Sequence, residues 1–404
     1  MRDDSNEESV VKGLLLQLLA SGFTVSSTNI VTSLLLIEIG STFGVSVGIA
    51  GQIRTLSYIV AIASSLLLGA LSIRFNHKKL LLIGLLSSTL SALGSGLSLN
   101  FGMMFLSYSL NGVGMAMVLP MVFSLIAEYF PEEKRPNVIG LFIASQGSSN
   151  VIGSPIVGYI SENWGWRLTF LGYIFPVALI SLVLTIRLIP SKSSIGRDTL
   201  RVSVFSGFRE LFSNRSAVFC LIGFTFSTMA FQALVTYGAS FYRQRFLLSM
   251  GSATLFYIAA PLCFILGSLF GGRLVNRVGR KTLTVASGLI AGVFTVFFSN
   301  VPFMAVSMAL AMAVALFNGV RNVAANNLTL EQLPRLRGLM MSLFSAADNL
   351  GMAFGSGIGG YTLLLYDYGA LGISLGAMGI ISALMFHFFT RGPTMDARGS
   401  SSMR

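Results

Sequence analysis

Fifteen acidic residues are spread over a chain of 404, and Asp348 falls deep inside an apolar run, "FSAADNLGMAFGSGIGG". A second apolar run, "LFNGVRNVAANN", holds Arg321. A carboxylate in such surroundings can gain and lose a proton, and a nearby guanidinium favours its charged form until the two part. The same two residues could equally form a permanent ion pair that locks two helices together. Uncharged polar side chains at similar depth are Asn29, Asn111, Gln146, Asn150, Gln232, Tyr237 and Asn349. They offer donors and acceptors either to a small polar solute or to one another across helices.

Other chemistries find no residues. His77 and His387, and Cys220 and Cys263, lie in separate stretches, which leaves no metal cluster and no nucleophile paired with a base. No G-x-x-x-x-G-K-[ST] loop occurs, so ATP is not expected as the energy source. Neither enzymatic activity nor a cofactor is expected.

The elements that must position these residues follow from composition. The chain is 53% hydrophobic and 10% charged, with a mean hydropathy of +0.77, whereas a soluble domain carries about 25% charged residues. Apolar stretches of about 20 residues recur along the whole length, each long enough to cross about 30 Å of hydrocarbon. The net charge of +12 is dispersed over short connecting segments rather than gathered in a patch, which argues against nucleic acid as a partner. The acidic start, "MRDDSNEES", lacks the basic n-region of a cleaved signal peptide, so the first span is expected to stay in the mature protein.

Cutting at charged, Pro-rich and Asn-rich breaks gives spans at 13–37, 47–72, 79–98, 101–127, 138–160, 167–189, 216–241, 251–273, 281–299, 303–328, 338–364 and 369–390. With both termini in the cytoplasm, all Lys and Arg fall in inner segments except Arg54, Arg167, Arg243 and Arg245 near outer ends and Arg321 within a span. The positive-inside rule therefore sets the orientation. Glu38 reads as an interfacial residue at the outer end of the first span. The longest connection, 190–215, is polar and basic, and separates an N-terminal bundle (1–189) from a C-terminal one (216–404). Its tail, "VFSGFRELF", suits either an amphipathic helix on the membrane surface or a solvated linker.

A repeat supports the division. "GALSIRFNHKKLLL" from Gly69 matches "GGRLVNRVGRKTLT" from Gly271, "LNGVGM" (Asn111, Gly112) matches "FNGVRN" (Asn318, Gly319), and "EYFPEEKRPNVIGL" from Glu128 matches "EQLPRLRGL" from Glu331. Two related six-helix bundles are implied.

These residues resemble the major facilitator superfamily, within it the twelve-span drug and sugar efflux group. The resemblance covers essentially the whole chain. The signature loop G-x-L-x-D-R-x-G-R-K is similar to Gly272, Leu274, Asn276, Arg277, Gly279, Arg280 and Lys281. A weaker copy keeps Gly69, Leu71, Arg74, Lys78 and Lys79, with Ile73 in place of Asp and Asn76 in place of Gly. The resemblance implies an inner gate built from these loops; because both copies lack the acidic residue, Glu128 with Arg74 is a candidate substitute latch, a plain interfacial pair being the alternative. "WGWRLTF" resembles the signature at the start of span 6, through Trp166, Arg167 and Phe170. "NVIGSPIVGY" resembles the antiporter motif in part, keeping Pro155 and Gly158. The resemblance also implies that spans 1, 4, 7 and 10 line a central cavity, with 5 and 11 nearby.

The expected protein is an all-α polytopic membrane protein of twelve transmembrane helices in two pseudo-symmetric bundles, acting as a monomer in the cytoplasmic membrane. Its expected activity is alternating-access transport of a small organic solute, as proton-coupled efflux. Uptake of a sugar or an organic anion by symport or uniport is the alternative within transport; a non-transporting sensor or lipid-handling protein is the alternative outside it.

Overall fold

The computed structural model describes residues 2–189, 204–333 and 337–391, without the side chains of 2–11, 69, 70, 72–74, 136, 204–208, 276, 337–339, 341 and 342. Gly69, Arg74 and Asn276 among the expected gate residues, and linker residues 190–203, therefore lie outside the described residues or side chains. The described residues form helices joined by short turns, with no strand among them. In order they form α1 (Arg2–Leu34), α2 (Leu36–Phe43), α3 (Val47–Arg74), α4 (His77–Gly96), α5 (Phe101–Tyr129), α6 (Arg135–Trp164) and α7 (Trp166–Thr169). A π turn at Phe170–Ile174 leads into α8 (Phe175–Leu188). Then follow α9 (Val204–Ser213), α10 (Arg215–Arg245), α11 (Met250–Val278), α12 (Arg280–Phe298), α13 (Met304–Gln332), α14 (Arg337–Leu365) and α15 (Tyr368–Phe389).

Twelve of these stretches match the expected spans, α7 to α8 counting as one. Among the described residues ten helices are long and apolar enough to cross a membrane. The other two, α6 and α14, run 30 and 29 residues and carry the polar stretches around Gln146–Asn150 and Asp348–Asn349. The first span does not run on to 37: α1 stops at Leu34, and Leu36 begins the short helix α2, which ends on Gly44 at φ 67°. The linker's tail is helical, as α9.

Helix starts are written in the local sequence. The side chains of Ser46, Asn76, Asn100 and Asp367 accept from the backbone N–H three residues on, in Ile49, Lys79, Met103 and Ala370. Each satisfies a donor that the first helical turn leaves open. At the position of α12 corresponding to Asn76 stands Gly279, at φ 91°, where a side chain would be strained.

The chain forms two compact units. One comprises Met1–Asp198 with Thr236–Ile258, the other Thr199–Val235 with Ala259–Arg404. In the first unit, Leu80, Leu81 and Leu85 of α4 pack with Met117, Val118 and Met121 of α5 and with Leu14 and Leu18 of α1. In the second, Cys220 and Phe224 of α10 pack with Ala325 and Leu328 of α13, Phe344 and Ala347 of α14 and Phe386 of α15. Lipid tails are as apolar as leucine, so close approach rather than expulsion from water holds such helices together.

The repeated Asn-Gly pair marks one point of close backbone approach in each unit. A Cβ on Gly112 of α5 would stand 2.1 Å from the carbonyl oxygen of Ser57 in α3, and one on Gly319 of α13 would stand 2.1 Å from that of Phe264 in α11. Backbone meets backbone at both points, and nothing flexible is available to yield. Gly112→Ala and Gly319→Ala should each destabilise the protein by about 1–3 kcal/mol through overpacking. Gly272→Ala, at a position with nothing within 4 Å, should be neutral. Thermal unfolding of the purified protein in detergent checks this; equal midpoints for all three variants would contradict the close approach.

Candidate functional site

The signature loops use their charges in the same way twice. In the first unit Lys78 Nζ donates to the carbonyls of Ile186 and Ile189, 3.1 and 2.5 Å away, at the end of α8. In the second, Lys281 Nζ donates to the carbonyl of Thr390, 2.7 Å away, at the end of α15. An ammonium at a helix C-terminus meets open carbonyls and the negative end of the helix dipole. His77 lies 3.1 Å from Glu128 at the end of α5, and Arg280 is ion-paired with Glu331 at the end of α13. The two sets share one offset along the chain, so His77 corresponds to Arg280, Lys78 to Lys281 and Glu128 to Glu331. Each unit thus has a basic end where the start of its third span is tied to the ends of its fourth and sixth.

Glu128 therefore has His77 as its partner among the described side chains, Arg74 lying outside them. Gly272, Arg277 and Lys79 are exposed. No ion pair of Arg277 occurs among the described residues.

Inside the second unit, Asp348 of α14 accepts a hydrogen bond from the Thr228 hydroxyl of α10, at 2.9 Å. Arg321 of α13 is 3% exposed. Its guanidinium lies 5.7 Å from the ring centre of Phe224, and its Nε and Nη1 are buried without a hydrogen-bond partner. Asp348 and Arg321 lie on adjacent helices, yet no ion pair within 4.0 Å joins them. Thr228 completes the carboxylate's setting, and nothing in its sequence context singled it out.

The polar residues expected to face a solute divide between the units. Asn29, Asn111, Gln146, Asn150 and Tyr237 lie in the first, and Gln232 and Asn349 in the second. Asn29, Asn150 and Asn349 each donate through Nδ2 to the carbonyl four residues back, at 3.2, 3.2 and 3.1 Å. Asn111, Gln232 and Tyr237 are buried, and Gln146 is half-buried.

Two further charged centres stand in the first unit. Arg54 of α3 sits 2% exposed, donating to the carbonyl of Asn29 at 2.7 Å, to Ser33 and to the Tyr58 hydroxyl at 2.8 Å. It is bonded to the last turns of α1, where a cation meets the negative end of the helix. Its place within an apolar run was the available signal, the same one that marks Arg321. Glu38 of α2 receives both ends of the Arg243 guanidinium, at 2.5 and 3.0 Å. This two-pronged pair is stronger and more directional than a single contact. Nearby, Glu162 of α6 accepts from the backbone N–H of Gly251 at the start of α11, at 2.9 Å.

A family model described as Major Facilitator Superfamily matches residues 17–262 and 248–403. An MFS-type transporter of Bacillus subtilis (strain 168) is 23% identical over 384 residues, 93% of this chain and 91% of that protein. A probable sugar efflux transporter of Helicobacter pylori (strain ATCC 700392 / 26695) is 24% identical over 373 residues, 92% of this chain and 93% of its own. Among solved structures, that of a D-xylose-proton symporter superposes with a TM-score of 0.76 at 17% identity, covering 94% of this chain and 98% of the other. That of a nucleoside transporter gives 0.77 at 14%, covering 94% and 100%.

The loop geometry separates two neighbouring arginines. Arg280→Gln removes the partner of Glu331 and should lower transport about two- to fivefold, the range of a half-exposed pair, whereas Arg277→Gln should leave it unchanged. The exchange Arg280→Glu with Glu331→Arg should recover most of the loss. Solute flux at matched protein density in liposomes measures all three; equal losses for both single variants would refute the pairing.

Proposed function

The chain belongs to the Major Facilitator Superfamily, a family of membrane transporters rather than enzymes, and from that premise we propose that it exports a small organic solute by alternating access, coupled to proton entry. The observation that carries the coupling is Asp348. It lies about 16 Å along α14 from Arg337, held by the Thr228 hydroxyl, on a helix adjacent to a buried Arg321 that is not ion-paired with it. A carboxylate that is hydrogen-bonded but not ion-paired is free to exchange a proton at modest cost. Protonation removes the negative charge that balances Arg321, and this difference can bias one conformation over another. Outward transport of a sugar-like solute is supported by the Helicobacter pylori relative, named a probable sugar efflux transporter. The distribution of Lys and Arg supports a cytoplasmic membrane location with both termini inside.

A second reading, transport of an organic anion, is favoured by one observation. Arg54 and Arg321 are buried guanidiniums, and among the described residues neither is ion-paired.

Purified protein in liposomes, with a pH gradient imposed and lumenal pH followed by a dye, tests the coupling across sugars, lipophilic cations and organic anions. Solute-dependent proton movement should be lost in Asp348→Asn and weakened several-fold in Thr228→Val. Proton movement that survives Asp348→Asn would reduce Asp348 to a packing role. Solute flux without any proton movement would make the protein a uniporter.

A further inference from the structure

At the basic end of the second unit a cleft of about 960 Å³ is lined by Glu210, Arg215, Phe219, Phe388, Phe389 and Arg391, among others. Its floor is tied together. The backbone N–H of Arg391 donates to the Ser216 hydroxyl at 2.7 Å, Ser216 donates to Gln332, and Asn214 donates to the Gln332 carbonyl at 3.1 Å. The start of α10, the end of α13 and the end of α15 therefore meet at one point. The aromatic wall is equally ordered, with Phe219 and Phe389 stacked at 4.3 Å, while Phe388 and Phe389 remain 70% and 52% exposed. Arg215 and Arg391 are exposed, and neither is ion-paired among the described residues. One carboxylate, Glu210, faces two guanidiniums, which leaves the cleft with net positive charge.

Location and chemistry together select an occupant. The cleft lies where α10 begins and α13 and α15 end, the ends of helices long and apolar enough to cross a membrane, and its exposed aromatic rings suit acyl chains and glycerol while its guanidiniums suit phosphate. α9 lies alongside: Leu211 is 2% exposed and packs with Ala217, Leu333 and Met340, whereas Phe212 is 69% exposed. We propose that this cleft binds an anionic phospholipid, its phosphate held by Arg215 and Arg391 and its chains lying over Phe219, Phe388 and Phe389. The site is independent of the transported solute.

Native mass spectrometry of the full chain, released from detergent with phosphatidylglycerol or phosphatidylcholine of identical acyl chains, tests this. Two arginines near a lipid surface should give phosphatidylglycerol an advantage of about tenfold or more. In Arg215→Gln/Arg391→Gln that preference should fall to within about twofold, whereas Arg273→Gln, which removes an exposed arginine elsewhere, should retain it. The conservative pair Arg215→Lys/Arg391→Lys should keep a preference, and this separates lost charge from a misfolded double variant. Equal binding of the two lipids by the wild-type protein would overturn the proposal, as would a preference that survives the glutamine pair. Displacement of phosphatidylglycerol by millimolar inorganic phosphate would also overturn it, by making this a free-phosphate site.

Discussion

A charge within a hydrocarbon slab must be answered from inside the protein, because neither water nor lipid tail can solvate it. Most of the specific geometry in this chain follows from that requirement. Lys78 and Lys281 are answered by the open carbonyls that end α8 and α15, Arg54 by a carbonyl and hydroxyls of α1 and α3, and Glu38 by Arg243. Each answer uses atoms that a helix end or an interhelical seam already had to satisfy. Structural cations and helix termini thus solve each other's problem.

Asp348 and Arg321 depart from this economy. The carboxylate has one hydroxyl donor, and the guanidinium keeps two buried nitrogens without partners. A carboxylate and a buried guanidinium that are not paired with each other form a place where the energy of the protein changes with protonation or with a bound solute.

The spans were legible because a membrane imposes a strong, simple pattern: runs of about 20 apolar residues cut by charge. The internal repeat was legible in Gly69 and Gly271, and in the two Asn-Gly pairs. What it meant was not, since the pairing of His77 with Glu128 and of Arg280 with Glu331 depends on which helix ends come together in three dimensions. The break at Leu35 was hidden because α1 and α2 are both apolar, and no Pro or Gly marks the boundary. Thr228 could not be found, being one hydroxyl among many. That Arg54, near the outer end of its span, turns inward onto α1 could not be read either, because distance along a helix does not reveal which way a side chain points.

The contacts at Gly112 and Gly319 carry a consequence for motion. Helices separated by a layer of side chains can slide, because rotamers rearrange as they pass. Helices whose main chains touch have no such lubricant, and any shear would drive a carbonyl into a Cα. α3 with α5, and α11 with α13, are accordingly riveted pairs that travel as single beams. Whatever flexing transport demands must then be taken up by their other neighbours, and glycines that look like points of weakness in the sequence are stiff joints of the molecule.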